Sequence, residues 1–252
     1  AFSILLGVGF VYLFHPASGR MIKRQFKLPL GLGTLFSQNP NQGVCELRWG
    51  HNRLRLENSG PSLEKHLSVT LDDGTSIEAR FSEREPAFAP MCLCTPTAVN
   101  GWVYAQKVAG VRCQGRVRSS LGDFDLGAID AFAHHDWSAG YMRPETFWNW
   151  ACLSGEVEGM RVGLNLSCGV NETSFSENCF WLDGELIKVD GVRFAFNRDQ
   201  PLEPWTITSN DGQVALRFSG AGLHQERVNA GLIASNFKQI FGRFTGRSEE
   251  HT

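Results

Sequence analysis

The stretch HHDWSAGYMRPETFWNWACLSG, His134 to Gly155, gathers two histidines, three tryptophans, an aspartate, an arginine and a glutamate into one run. On a strand, neighbouring side chains point to opposite faces, so His134 and Asp136 share a face while His135 points away. A His–Asp couple of that kind can orient an imidazole for proton transfer, or simply brace a wall. In Trp148-Asn149-Trp150 the two indoles share a face, with Asn149 opposite. They suit the wall of an apolar pocket, each with a polar N–H at hand, and suit core packing as well. Arg143 and Glu145 flank Pro144 and fit either a surface ion pair or the polar end of a pocket. A carboxyl group held in an apolar cavity can keep its proton to neutral pH and then donate it. Asp136, Glu145, Glu172 and Glu177 are the candidate acids, and their spacing does not rank them. Trp137, Tyr141 and Asn165 join Arg143, Trp148 and Trp150 as candidate ligand contacts.

The elements that must position these residues are strands. Asp73-Gly74, Asp183-Gly184 and Asp211-Gly212 each sit between short alternating arms. Asp-Gly so flanked is a strong hairpin signal, because both central turn residues favour positive φ. ELRWGHNRLRLEN, MRVGLNLSCG and GVRFAFNR also alternate, with one face for a core and one for solvent or a lumen. The 27 glycines suit turns, bulges and barrel corners. Two segments read otherwise. In AGLIASNFKQIFGRF, Ile233, Phe237, Ile240 and Phe244 recur at helical spacing, and RPETFWNWACL has the proline and glutamate of a helix start.

Charge and motifs exclude several classes. The net charge is −2 with no basic run, which argues against nucleic acid or an anionic membrane as main partner. Seven irregularly spaced cysteines without a CxxC pair read as free, mostly buried thiols in a reducing, cytoplasmic setting. The histidines lack metal-ligand spacing, and no metal or other cofactor is expected. GxSxG, P-loop, HExxH and dinucleotide fingerprints are absent. The apolar opening AFSILLGVGFVYLF is too short for a typical transmembrane helix and lacks the flanks of a signal peptide. It reads as a strand pair inside a domain whose front is cut away. The sequons at Asn165 and Asn171 are discounted on the same ground.

In this order, HHDWSAGYMRPETFWNWACLSG, VGLNLSCGVNETSFSENCFW, PWTITSNDGQVALRF and SNFKQIFGRFTG resemble the uncharacterised DUF2804 family. More distantly, Asp136-Trp137 with Gly140, then Trp148-Asn149-Trp150, then FKQIFGRFTG are similar to motifs of the carotenoid 1,2-hydratase and AttH-like superfamily. Here the aspartate directly precedes the tryptophan, a departure from the superfamily pattern. The resemblance implies an all-β, antiparallel lipocalin-like (calycin) double barrel. Its first, N-terminally truncated barrel would span 1–115 and its second 116–252. SNFKQIFGRF would then be a closing strand. It also implies either binding of an isoprenoid- or fatty-acyl-like molecule in a barrel pocket, or a hydratase-like enzyme protonating a carbon–carbon double bond. Asp136, His134, Glu145 or Glu172 would serve as catalytic groups in the second case. A ligand-free interaction barrel is the third possibility, and no oligomeric state is implied.

Overall fold

A computed structural model describes residues 6–84, 88–97, 99–141, 145–169, 175–229 and 234–248. Nearly all ordered structure is antiparallel β, as the hairpin signals and alternation predict; the described residues hold one short helical turn, Gly60–Ser62. Among the described residues no helix is long and apolar enough to cross a membrane. The chain divides into two compact units, one of Ala1–Val11 with Arg24–Lys188, the other of Tyr12–Lys23 with Val189–Thr252. The opening strands β1 (Leu6–His15) and β2 (Arg20–Pro29) form a two-stranded sheet.

The first unit is dominated by a nine-stranded sheet. It contains β3 (Thr34–Leu35), β4 (Gly43–Trp49), β5 (Asn52–Ser59), β6 (Glu64–Thr70), β7 (Ser76–Ser82), β8 (Met91–Pro96), β9 (Trp102–Ser119), β10 (Gly122–Asp125) and β11 (Phe132–Gly140). The long β9 organises it: its C-terminal half pairs with β7 and β10, its N-terminal half with β8 and β11. Period-two alternation sorts β4–β7 into two unlike faces. Leu47, Leu54, Leu56, Leu67, Val69, Ile77, Ala79 and Phe81 lie on one. The other is charged. There Glu46, all but buried, is gripped by Arg48, by Arg53 Nη2 at 2.6 Å and by Arg55 Nη1 at 3.2 Å. Burial alone would raise its pKa, but the hydrogen bonds from Arg53, Arg48 and Arg55 outweigh it and bring the group down to about 2.

A four-stranded sheet of β12 (Asn149–Val157), β13 (Met160–Cys168), β14 (Cys179–Leu182) and β15 (Glu185–Lys188) packs on β9. The two layers meet backbone to backbone. A Cβ on Gly163 would lie 2.4 Å from the Ala109 carbonyl carbon and oxygen, and Gly110, at φ +82°, faces the Gly163 nitrogen. Ser154 Oγ fastens the crossing, accepting from Gly110 N–H at 3.0 Å and donating to the Ala133 carbonyl at 3.2 Å. Trp181, fully buried, donates its indole N–H to the Ala89 carbonyl at 2.8 Å.

The second unit holds β16 (Val192–Ala195), β17 (Trp205–Ser209), β18 (Val214–Asn229) and β19 (Ala234–Ser248) in sequential order. Here the helical spacing of the last segment gives way: β19 pairs with β18 along its whole length. It carries apolar groups on both faces, with Phe241 stacked on Phe14 and Phe244 tilted against Phe218, so its pattern does not alternate. The proline–glutamate helix start also fails, since 145–148 is irregular and leads straight into β12. All three Asp-Gly pairs lie at hairpin turns, but only Asp183-Gly184 has both residues at positive φ. At Asp73-Gly74 and Asp211-Gly212 the glycine alone is left-handed, in the loops 72–74 and 210–213.

Two outcomes follow. Gly163→Ala should lower the urea-unfolding free energy by roughly 1–3 kcal/mol, since the obstacle is the Ala109 backbone and cannot rotate away; an unchanged midpoint would contradict the close approach. Because the Glu46 pKa is depressed, its stabilisation is complete above the unfolded value near 4.5 and is lost as pH falls toward 2. Discounted for the exposed arginines, Glu46→Gln should cost about 2 kcal/mol at pH 7 and much less at pH 2.5, read from paired denaturation curves.

Candidate functional site

Sequence placed a lone lysine, Lys107, inside the apolar run VYAQKVAGV of β9, and the site is built around it. Its ammonium, 9 % exposed, lies 2.9 Å from Asp136 Oδ2 and 3.0 Å from Glu177 Oε1. Burial pushes the Lys107 pKa down, but Asp136 and Glu177 outweigh it and hold the value above the ordinary one. Lys107 and Asp136 are directly paired across β9 and β11, so the cross-strand register brings them together.

Trp150 stands beside them, its ring centroid 5.6 Å from Lys107 Nζ and 5.8 Å from that of His134. Its indole N–H donates to Asn165 Oδ1 at 2.8 Å, and Asn165 Nδ2 donates to the Glu177 carbonyl at 2.9 Å. Asn165, buried, thus fixes both the tryptophan and the segment carrying Glu177, and its amide has no room for a glycan. Cys152 Sγ lies 3.7 Å from His134 Nε2. This pair resembles a nucleophile and its base, but the electrostatics oppose it. Burial first, then the Asp136 charge, push the thiol up to about 12. His134 is exposed as a residue, yet its ring is crowded, and desolvation pushes the imidazole below its usual value despite Asp136. A neutral thiol beside a neutral imidazole is a weak nucleophile.

The crevice between Lys107, His134, Asp136, Cys152, Leu164, Asn165 and Trp181 has a volume of about 10 Å³, room for about one water. Trp150 is exposed, and so are Phe147 and Trp148 just before it in the chain. The described residues contain no cluster of three or more histidine, cysteine or acidic groups able to hold a metal.

The alternation across His134-His135-Asp136 holds, with a bulge between Ala133 and His134. His134 and Asp136 face the Lys107 side. His135 turns to the opposite face, with Nδ1 3.0 Å from Glu83 Oε1. Trp137, opposite Gln106, shares that reverse face and meets Tyr104 edge-on, so it does not form one wall with Trp148 and Trp150. Tyr141, exposed, packs edge-on to Trp102. Glu145 is exposed. Arg143 and Glu172 lie outside the described residues. Lys107, Cys152 and the Glu83 partner of His135 were not among the sequence candidates; the isolated charge in an apolar strand was the signal for the first.

A family model described as "Domain of unknown function (DUF2804)" matches residues 5–251. No curated protein and no solved structure matches the chain.

Cys152 should be the slow thiol. At pH 8, iodoacetamide should alkylate the exposed Cys92 and Cys94 at least tenfold faster than Cys152, followed by peptide mass spectrometry. A fast-reacting Cys152 would restore it as a nucleophile.

Proposed function

The chain belongs to the DUF2804 family, and from its geometry we propose that it binds an apolar small molecule, isoprenoid- or fatty-acyl-like, on the aromatic surface around Trp150. One observation carries the reading: Trp150 donates to Asn165 and faces the Lys107 ammonium yet remains exposed, as does Trp148 two residues before it. Large aromatics are seldom left in water on a rigid frame without a partner to cover them. Lys107 with two carboxylates leaves the polar floor slightly negative, which disfavours an anionic ligand. A lipocalin-like double barrel remains the architecture of this proposal, in a cytoplasmic setting where the unpaired thiols stay reduced.

Hydratase-like chemistry is less well served. It needs a carboxyl group that gives up a proton, whereas Asp136 accepts a hydrogen bond from the Lys107 ammonium.

The test uses an uncharged probe. Nile red should bind with a blue-shifted emission and be displaced by geranyl acetate. Trp150→Ala should weaken binding at least tenfold, with Asp136→Asn having little effect. Equal affinity in Trp150→Ala, or no binding at all, would sink the proposal.

A further inference from the structure

A second polar cluster lies on the reverse face of the same strands, and the aromatic site does not use it. Lys65, with no exposed side-chain surface, sits 3.6 Å from Glu83 Oε2 and 3.5 Å from Asn41 Oδ1. Glu83 and His135 are 3 % and 4 % exposed. Despite their 3.0 Å approach, Glu83 Oε1 and both ring nitrogens of His135 make no hydrogen bond of acceptable geometry. Gln106, also buried, donates to Asn41 Oδ1 at 2.8 Å and accepts from the Tyr104 hydroxyl at 3.1 Å. Three buried polar atoms in one spot without a well-aligned hydrogen bond favour a partner that supplies one.

The missing partner has a definable chemistry. Lys65 and Glu83 already compensate each other, so a charged newcomer would leave an unbalanced charge in a buried place. The Glu83 oxygen asks for a donor. The imidazole N–H and the loosely held ammonium ask for an acceptor. A group that is neutral and does both is a hydroxyl. Two residues along β6 from Lys65, on the same face, the apolar surface begins: Leu67, Leu56 across from it, then Leu54 and Leu47, all only partly buried.

We propose that Lys65, Glu83 and His135 form the head-group end of a second binding site, which takes an apolar alcohol. Its hydroxyl donates to Glu83 Oε1 and accepts from Lys65 or His135, while its hydrocarbon body lies along Leu67, Leu56 and Leu54. This site is separate from the Trp150 surface.

Equilibrium dialysis with radiolabelled 1-decanol tests it, with decanoate and decane as comparators. Decanol should bind at least tenfold more tightly than either. Leu56→Trp, which fills the tail track, should abolish decanol binding with the fold intact by circular dichroism. All are read in the Trp150→Ala background, which removes the aromatic surface's share of the binding and separates this site from it. Decanoate binding as well as decanol, or no decanol bound to the unaltered protein and hence only water at the cluster, would overturn the proposal. So would a folded Leu56→Trp variant of unchanged affinity in that background.

Discussion

An ammonium group withdrawn from water must be neutralised where it stands, and Lys107 imposes that condition on the first unit. Its two carboxylates come from elements far apart in sequence: Asp136 by the antiparallel register of β11 on β9, Glu177 by the segment that leads into β14. Each needs its own support. Asn165 holds the backbone of Glu177, and the same amide holds Trp150 against the lysine. Removing the cation would take from Glu177, 4 % exposed, the ammonium 3.0 Å away, a heavier penalty than the loss of one favourable contact.

The crossing of Gly110 and Gly163 makes this arrangement possible. With no side chain at the contact, β13 lies directly on β9, and Asn165 follows two residues later on the same strand. β9 therefore separates two chemically distinct environments. Toward β12 and β13 lie a lysine between two carboxylates and open aromatics. On the reverse face lie an ion pair and an imidazole among buried neighbours. Three consecutive residues, His134, His135 and Asp136, serve both faces because strand geometry alternates them.

What sequence made legible was local. The Asp-Gly hairpins, the alternating arms and the sorting of His134 from His135 depend on a few neighbouring residues. Lys107, Glu83 and Lys65 escaped because their significance is a partner dozens of positions away. Trp137 was grouped with Trp148 and Trp150 by residue type, although the alternation that joined Asp136 to His134 already put Trp137 on the other face. The helical spacing in β19 misled because a strand with aromatics on both faces has no period of two to display.

The opening hairpin has a temporal consequence. Its tip, Tyr12–Lys23, belongs to the unit otherwise built from Val189–Thr252, so all of Arg24–Lys188 is synthesised before its companions exist. At ribosomal rates that interval is on the order of 10 s. Throughout it Tyr12 and Phe14 lack His224 and Phe241, the rings they pack on in the finished fold. The first unit can collapse while the chain is still emerging; the second must hold two aromatics in reserve. The nascent protein thus carries a sticky hairpin tip for seconds, the kind of segment that chaperones shield.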